Sequence, residues 1–350
     1  MMRDLFTNPL PSWLSDNGKD DNIVLSSRVR LARNLEKIPF PNIAQKEQLF
    51  EVKKKVIEAG KNLNYATYEI VELDDLKALE RNVLVEKHLI STNHIKNPEN
   101  RAVLVRNDDA VSIMVNEEDH LRIQAMAQGL DLKTAYVVAS EVDDLLEKSL
   151  DISFNEHIGY LTACPTNLGT GLRASVMVHL PGLVSTKQIN QIINAAPQLG
   201  LAVRGLYGEG TEAKGNIFQI SNQLTLGFKE EEIIDNLTSA TKEIINHEQV
   251  ARARLHKSSK ENLNDEIWRA FGILRYAQVL TADEALALAS KVQVGIDLGI
   301  IDIAPKNFFN ELMVISRPNY LYKIIGEECF KINDINLYRA QVIREKLKKC

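Results

Sequence analysis

Short β-like runs recur through the first two-thirds of this chain, and helical spacing of apolar residues takes over in the last third. Val103-Leu-Val105 and Val111-Ser-Ile-Met-Val115 flank Asn107-Asp-Asp109, which predicts a hairpin whose second strand delivers Glu117 and Glu118. Leu132, Ala135, Val138, Val142 and Leu145 share one helical stripe, predicting a helix over 132–150. Further strands are predicted at 159–162, 175–178 and 201–204, with a helix between the last two closed by Pro197 and Gly200. Runs at 217–220 and 224–226 read as a terminal hairpin, and 230–255 as a long helix with acids in its first turn. Beyond it, 261–280, 307–316 and 336–349 have helical character, and Thr281-x-x-Glu284 is a capping box. The expectation is an α+β fold: a domain over 1–255 with a mostly antiparallel sheet flanked by helices, then an all-helical domain over 256–350.

Composition narrows the functions open to this fold. With 350 residues, 45% of them hydrophobic, the chain can bury a substantial core. A net charge of −5 is not the footprint of a nucleic-acid binder. No run reaches the ~18 apolar residues of a membrane helix, and the N-terminal segment lacks a signal-peptide core, so a cytoplasmic protein is expected. Cys164, Cys329 and Cys350 have neither disulfide-framework nor zinc-site spacing, and no bound metal is expected from them.

Candidate chemistry lies in scattered arginines. Arg28 and Arg30 in Ser26-Ser-Arg-Val-Arg-Leu-Ala-Arg33 alternate on a β-like segment and so share a face. With Arg122, Arg173 and Arg204 they form a set of five cations suited to a polyphosphate, since the planar guanidinium grips phosphate bidentately and stays charged. Taken singly, each reads more readily as a solvated surface residue or an ion-pair partner. Phosphoryl transfer also needs a group that presents the nucleophile, and a guanidinium acceptor must be held and deprotonated by carboxylates. Glu118 after its strand and Glu209 in Tyr207-Gly-Glu-Gly210 are the candidates, as general base and orienting partner. Their plain alternatives are a solvated acidic run, Glu117-Glu-Asp119, and an ordinary turn residue. Cys164, before a proline and a glycine-rich turn, reads either as an activated thiol beside arginines or as an inert buried one. Gly169-Thr-Gly171-Leu-Arg-Ala174 matches a loose dinucleotide pattern but leads into a predicted strand, so that reading is rejected; a P-loop motif does not occur.

Together Cys164-Pro-Thr-Asn-Leu-Gly-Thr170 and Asn116-Glu-Glu-Asp-His120 resemble the signature and carboxylate words of the phosphagen (guanidino) kinase family, in its bacterial branch that acts on protein arginine. That resemblance covers about 20–255 and extends into the helical tail. It implies ATP with Mg2+ as the phosphate donor. It also implies a nucleotide site from Ser26, Ser27, Arg28, Val29, Arg30, His88, Arg122, Arg173, Ala174, Ser175, Val176, Met177, Arg204, Gly205, Leu206, Tyr207, Gly208 and Glu209, with Glu118, Glu209 and Cys164 catalytic. Small-molecule members of the family carry a helical domain before the Arg-x-Arg word, which here starts at residue 28; its lack would leave the acceptor side open to an arginine on a polypeptide. The branch further implies a homodimer through the tail, a zinc-bearing activator of the McsA type, and a role in stress response and protein quality control through a Clp-type protease. A small-molecule arginine kinase and a catalytically silent adaptor for arginine or phosphoarginine proteins are the alternatives. Of the branch's phosphoarginine-binding tail word only Arg339 and Ala340 remain, so that allosteric pocket is doubtful; Arg339, Arg344 and Lys346 read instead as a solvated helix face. Phe271, Leu274, Leu286 and Leu288 fit either core or dimer contacts.

Overall fold

A computed structural model describes residues 5–6, 11–14, 22–63, 66–207, 213–302, 308–326 and 334–348, the side chains of Tyr207 and Asp334 excepted. In chain order the elements are β1 (Val24–Arg33), α1 (Lys46–Gly60), β2 (Tyr68–Glu72), α2 (Ala78–Glu86), β3 (Ala102–Arg106), β4 (Val111–Val115), β5 (Leu121–Gln128) and α3 (Leu132–Glu147). A two-stranded ribbon of β6 (Phe154–Asn155) and β7 (Gly159–Tyr160) follows, then β8 (Leu172–His179), α4 (Pro181–Ser185), α5 (Ile189–Ala195), β9 (Leu201–Tyr207) and β10 (Ala213–Asn222). The rest is helical: α6 (Glu230–Ser258), α7 (Lys260–Tyr276), α8 (Ala282–Asp297), α9 (Phe308–Ile315), α10 (Pro318–Ile325) and α11 (Asp334–Lys348).

Eight strands form one sheet in the order β2-β3-β4-β5-β1-β8-β10-β9, and every pairing is antiparallel. Alternation along each strand gives the sheet two unlike faces. One carries Val29, Leu31, Ile123, Ala125, Ala174 and Val176 into the main core beneath α1, α3 and α6. Cross-strand partners share a face, so Arg28 lies with Met126 and Ser175, and Arg30 with Gln124 and Arg173, all on the other side. There Met126, Met177 and Ile217 pack beneath tail helices with Phe271, Leu274, Leu286 and Phe308, while Val103, Val105 and Met114 pack with Leu84 of α2. The arginine face lies between these two packed flanks.

The predicted hairpin is β3–β4, and the predicted helices at 132–150 and 230–255 are α3 and α6. Asp131 caps α3 by accepting from Thr134 N, and Thr281 caps α8 by accepting from Glu284 N. The boundary expected at 255/256 falls in the last turns of α6. Two local expectations fail. The helix between β8 and β9 is broken into α4, α5 and a 3₁₀ turn because Lys187 adopts φ 60°, which no α-helix accommodates. The segment 224–226 is no strand: Asn222 and Thr225 turn their side chains to main-chain carbonyls, and Leu224 and Leu226 are left exposed.

The tail also departs from the solvated face expected of α11. Arg339 is buried and donates to the carbonyls of Ser316 (2.6 Å) and Leu280 (2.8 Å), Arg344 donates to Ala277 O, and Lys346 pairs with Glu311. Ala340 is buried beside it, and Phe271, Leu274 and Leu286 belong to the tail's core.

Candidate active site

The carboxylate loop after β4 is shaped by hydrogen bonds within the chain. Asn116 sits at φ 59° and its N–H donates to His120 O, while Glu117 N donates to Asp119 O, so the chain reverses within five residues. Buried Glu117 accepts from Arg122 Nη1 (2.6 Å) and Ser91 Oγ (2.6 Å). Burial would raise its carboxyl, but Arg122 and the hydrogen bonds hold it below the ordinary range. Asp119, also buried, accepts from Asn34 Nδ2 (2.6 Å) and from the Ala163 amide (2.7 Å). That last bond ties the carboxylate loop to the segment holding Cys164.

Glu118, between these two anchored acids, points to solvent. Partial burial of its carboxyl raises its pKa, and Asp119 and Glu117 add to the shift; Arg122 and the Cys164 thiol pull back against it. Cys164 opens a 3₁₀ turn at Pro165–Asn167, its Sγ 3.0 Å from Thr166 Oγ1. Thr225 Oγ1 fixes that turn by donating to Leu168 O (2.6 Å) and Thr166 O (3.1 Å).

Four arginines meet on the open sheet face. Arg28 donates to Gln219 Oε1 (2.8 Å) and Ser175 Oγ (3.2 Å). Arg30 is wedged between Arg28, Arg122 and Arg173, and its buried Nε has no hydrogen-bond partner among the described residues. Burial first, then those three cations, hold its guanidinium well below the usual value, with Glu117 partly opposing them. Arg173 is lowered by burial and by Arg204 and Arg122, and it feels the charges of Cys164 and Glu118. Arg204, opposite Gln219 on β9, is exposed at the outer end of the same face. So many like charges with one buried acid among them make a site for an anion of several charges.

His88 adopts φ 58° and packs edge-on against Trp13, ring centroids 5.8 Å apart. Its carbonyl accepts from Gln124 Nε2 (2.8 Å), which places it at the α2 flank of the arginine face. Burial, then Arg28 and Arg317, lower its pKa to about 3, so it is neutral at physiological pH.

The remaining expected positions divide by face. Ser26, Ser175 and Met177 lie on the arginine side. Ser27, Val29, Ala174 and Val176 turn their side chains to the apolar side; Ser27 Oγ donates to Gly129 O and accepts from Asp131 N. Gly205, Leu206 and Tyr207 are on β9, and Leu206 packs against the tail's core. Gly208 and Glu209, like Cys329 and Cys350, lie outside the described residues. Missed from the sequence were Glu117, Asp119, Asn34, Ser91, Gln219 and Thr225, whose roles depend on partners 26 to 85 or more positions away.

Comparison with known proteins bears on this geometry. Residues 51–251 match the ATP:guanido phosphotransferase C-terminal catalytic domain, and residues 260–350 the protein-arginine kinase McsB C-terminal domain. The chain belongs to the protein-arginine kinases, within the ATP:guanido phosphotransferases. Family relatives include the protein-arginine kinases of Desulforamulus reducens, 46% identical over 99% of this chain and 98% of that protein, and of Halothermothrix orenii, 48% identical over 99% of both. Among solved structures, a duplicated taurocyamine kinase from Schistosoma mansoni with bound transition-state-analog components is 29% identical, with a TM-score of 0.61. It matches 71% of this chain, which spans 37% of that duplicated chain. A lombricine kinase is 28% identical over 70% of this chain and 71% of its own, with a TM-score of 0.60. Family membership makes ATP the phosphate donor. Among the described residues, no helix is long and apolar enough to cross a membrane.

Proposed function

We propose that this protein transfers the γ-phosphoryl group of ATP to arginine side chains of other proteins. The observation carrying this reading is the gathering of Arg28, Arg30, Arg122 and Arg173 on one sheet face, with the loop of Glu118 joined to it through the Arg122–Glu117 pair. The arginines hold the phosphate oxygens and offset charge as the bond to the leaving phosphate lengthens. A protonated guanidinium has no free lone pair, so Glu118 takes one proton from the acceptor nitrogen. That nitrogen then forms the N–P bond, the bond from phosphorus to the bridging oxygen breaks, and ADP departs. A carboxyl raised above the ordinary range is a stronger base for this step. Glu209 is proposed as the second carboxylate gripping the acceptor, and His88, neutral and flanked by Trp13, as a neighbour of the nucleoside.

Among the described residues no three His, Cys, Asp or Glu side chains cluster into a metal cage. Magnesium would therefore enter with the nucleotide, held by phosphate oxygens and water. A cytoplasmic setting, a zinc-bearing activator and delivery of modified proteins to a Clp-type protease belong to the same proposal. So does a homodimer, supported by Trp268, Ile273 and Tyr276, exposed on α7. The test is mass spectrometry that preserves the N–P bond, with Mg-ATP and an arginine-rich polypeptide beside free arginine. Phosphoarginine on the polypeptide is expected; phosphate only on free arginine, or none on either, overturns the reading.

A further inference from the structure

Beside Gly169 and Thr170, which end the loop that opens at Cys164, the surface is unusually apolar. Phe154, Ile158, Leu226 and Phe228 are each between 41% and 57% exposed and line one open groove; Leu199 and Leu224 border an adjoining hollow that shares Phe228. Six large apolar side chains gathered this way on a water-facing surface mark an interaction site more often than chance. The groove also borders the loop that holds Cys164. Gly169 and Thr170, which end the Cys164 word, form part of its wall, and Gly169 exchanges backbone hydrogen bonds with Tyr160 of β7 (2.8 and 3.4 Å). A side chain at Gly169 would meet the Leu226 backbone at 3.0 Å, so the turn rests against the groove's other wall. Glu231 and Glu232 in the first turn of α6 line the two hollows beside Lys229, while Glu230 is taken up by Tyr136 Oη and Arg33. The rim is therefore acidic where the floor is apolar.

We infer that this groove docks the polypeptide that carries the target arginine, taking an extended segment with aromatic or aliphatic side chains close in sequence to that arginine. The inference rests on the protein-arginine reading above and adds what the enzyme recognises beyond the guanidinium. Gly169 and Thr170 join the groove to the loop that holds Cys164, and the acidic rim matches the segment's basic character.

The test compares two peptides with Mg-ATP: one with the arginine flanked by Phe and Leu, one with it flanked by Gly and Ser. Full-length wild type is set against I158S and F228S, two separate exposed positions. Wild type should show a lower KM for the apolar peptide. Each variant should raise that KM about tenfold and leave kcat, and all constants for the Gly/Ser peptide, unchanged. An unchanged KM in both variants, or equal losses on both peptides, overturns the groove as a docking site. A variant that changes only the sedimentation behaviour of the enzyme identifies a second copy of the chain as the occupant and overturns it too. If wild type phosphorylates neither peptide, the protein-arginine reading itself fails, an outcome separate from any effect of the two substitutions.

Discussion

Strand β1 carries arginines to opposite faces of one sheet, Arg33 buried and Arg30 half-buried, and their surroundings differ in kind. On the apolar side, Arg33 is fully matched: two nitrogens reach Asp143 Oδ2 (2.9 and 2.6 Å), Nη1 donates to the carbonyls of Ala32 and Thr170, and the guanidinium lies 3.4 Å from the Tyr160 ring centroid. Arg252 is treated likewise by Glu248 and Asp297 at the junction with the tail. On the other side, Arg30 has Arg28, Arg122 and Arg173 around it with Glu117 partly opposing them, and its buried Nε has no acceptor among the described residues. Burying a charge is costly unless it is paired. Arg33 meets that cost inside the protein, whereas the surroundings of Arg30 leave it to be met by an incoming anion. The same residue type thus reveals its purpose through what surrounds it.

This contrast can be broken by substitution. The largest effect is expected at the acid that serves the cluster: Glu118→Gln should lower kcat by about 10²- to 10⁴-fold with nucleotide affinity kept, measured by steady-state kinetics and calorimetry. The raised pKa adds a pH signature. The base form is lost as pH falls through a value above the ordinary carboxylate range, so wild-type kcat should decline there, and that acid limb should vanish in the variant. Next, Arg33→Met should cost about 3–5 kcal/mol in chemical denaturation, because it strands the buried carboxylate of Asp143. Arg30→Met should behave oppositely, lowering kcat/KM by about 10²- to 10³-fold while leaving ligand-free stability within about 1 kcal/mol of wild type or above it. Equal destabilisation by the two methionines would erase the distinction between the faces. The smallest effect belongs to an uncharged support: Thr225→Val should cost about 0.5–1.5 kcal/mol and raise KM for the acceptor by loosening the Cys164 turn.

Much of this was legible in the chain because it was local. Alternation alone put Arg28 and Arg30 on one face, and the apolar runs around Asn107-Asp-Asp109 gave the hairpin that leads to Glu118. Strand β5 had a readable signal as well, since Leu121-Arg-Ile-Gln-Ala-Met-Ala-Gln128 alternates apolar with other residues, and its facing partners are those of the cluster. What stayed hidden depended on distant partners. Nothing near Asp119 says that its carboxylate will take the amide of Ala163, and nothing near Arg339 says that it will be buried among carbonyls from two other segments. The run at 224–226 misled for the converse reason: its leucines alternate as in a strand, yet the side chains of Asn222 and Thr225 spend the local hydrogen bonds on neighbouring loops.

The position of β1 also has a bearing on biosynthesis. It precedes both its partners in the chain, lying in the sheet interior between β5 and β8, whose pairing residues are 121–128 and 172–178. At the ribosome's pace of about 5–20 residues per second, on the order of ten seconds pass between the emergence of β1 and of its second neighbour. Until β5 emerges the nascent segment has no sheet partner, and the face that grips the nucleotide stays incomplete until β8 has been made as well.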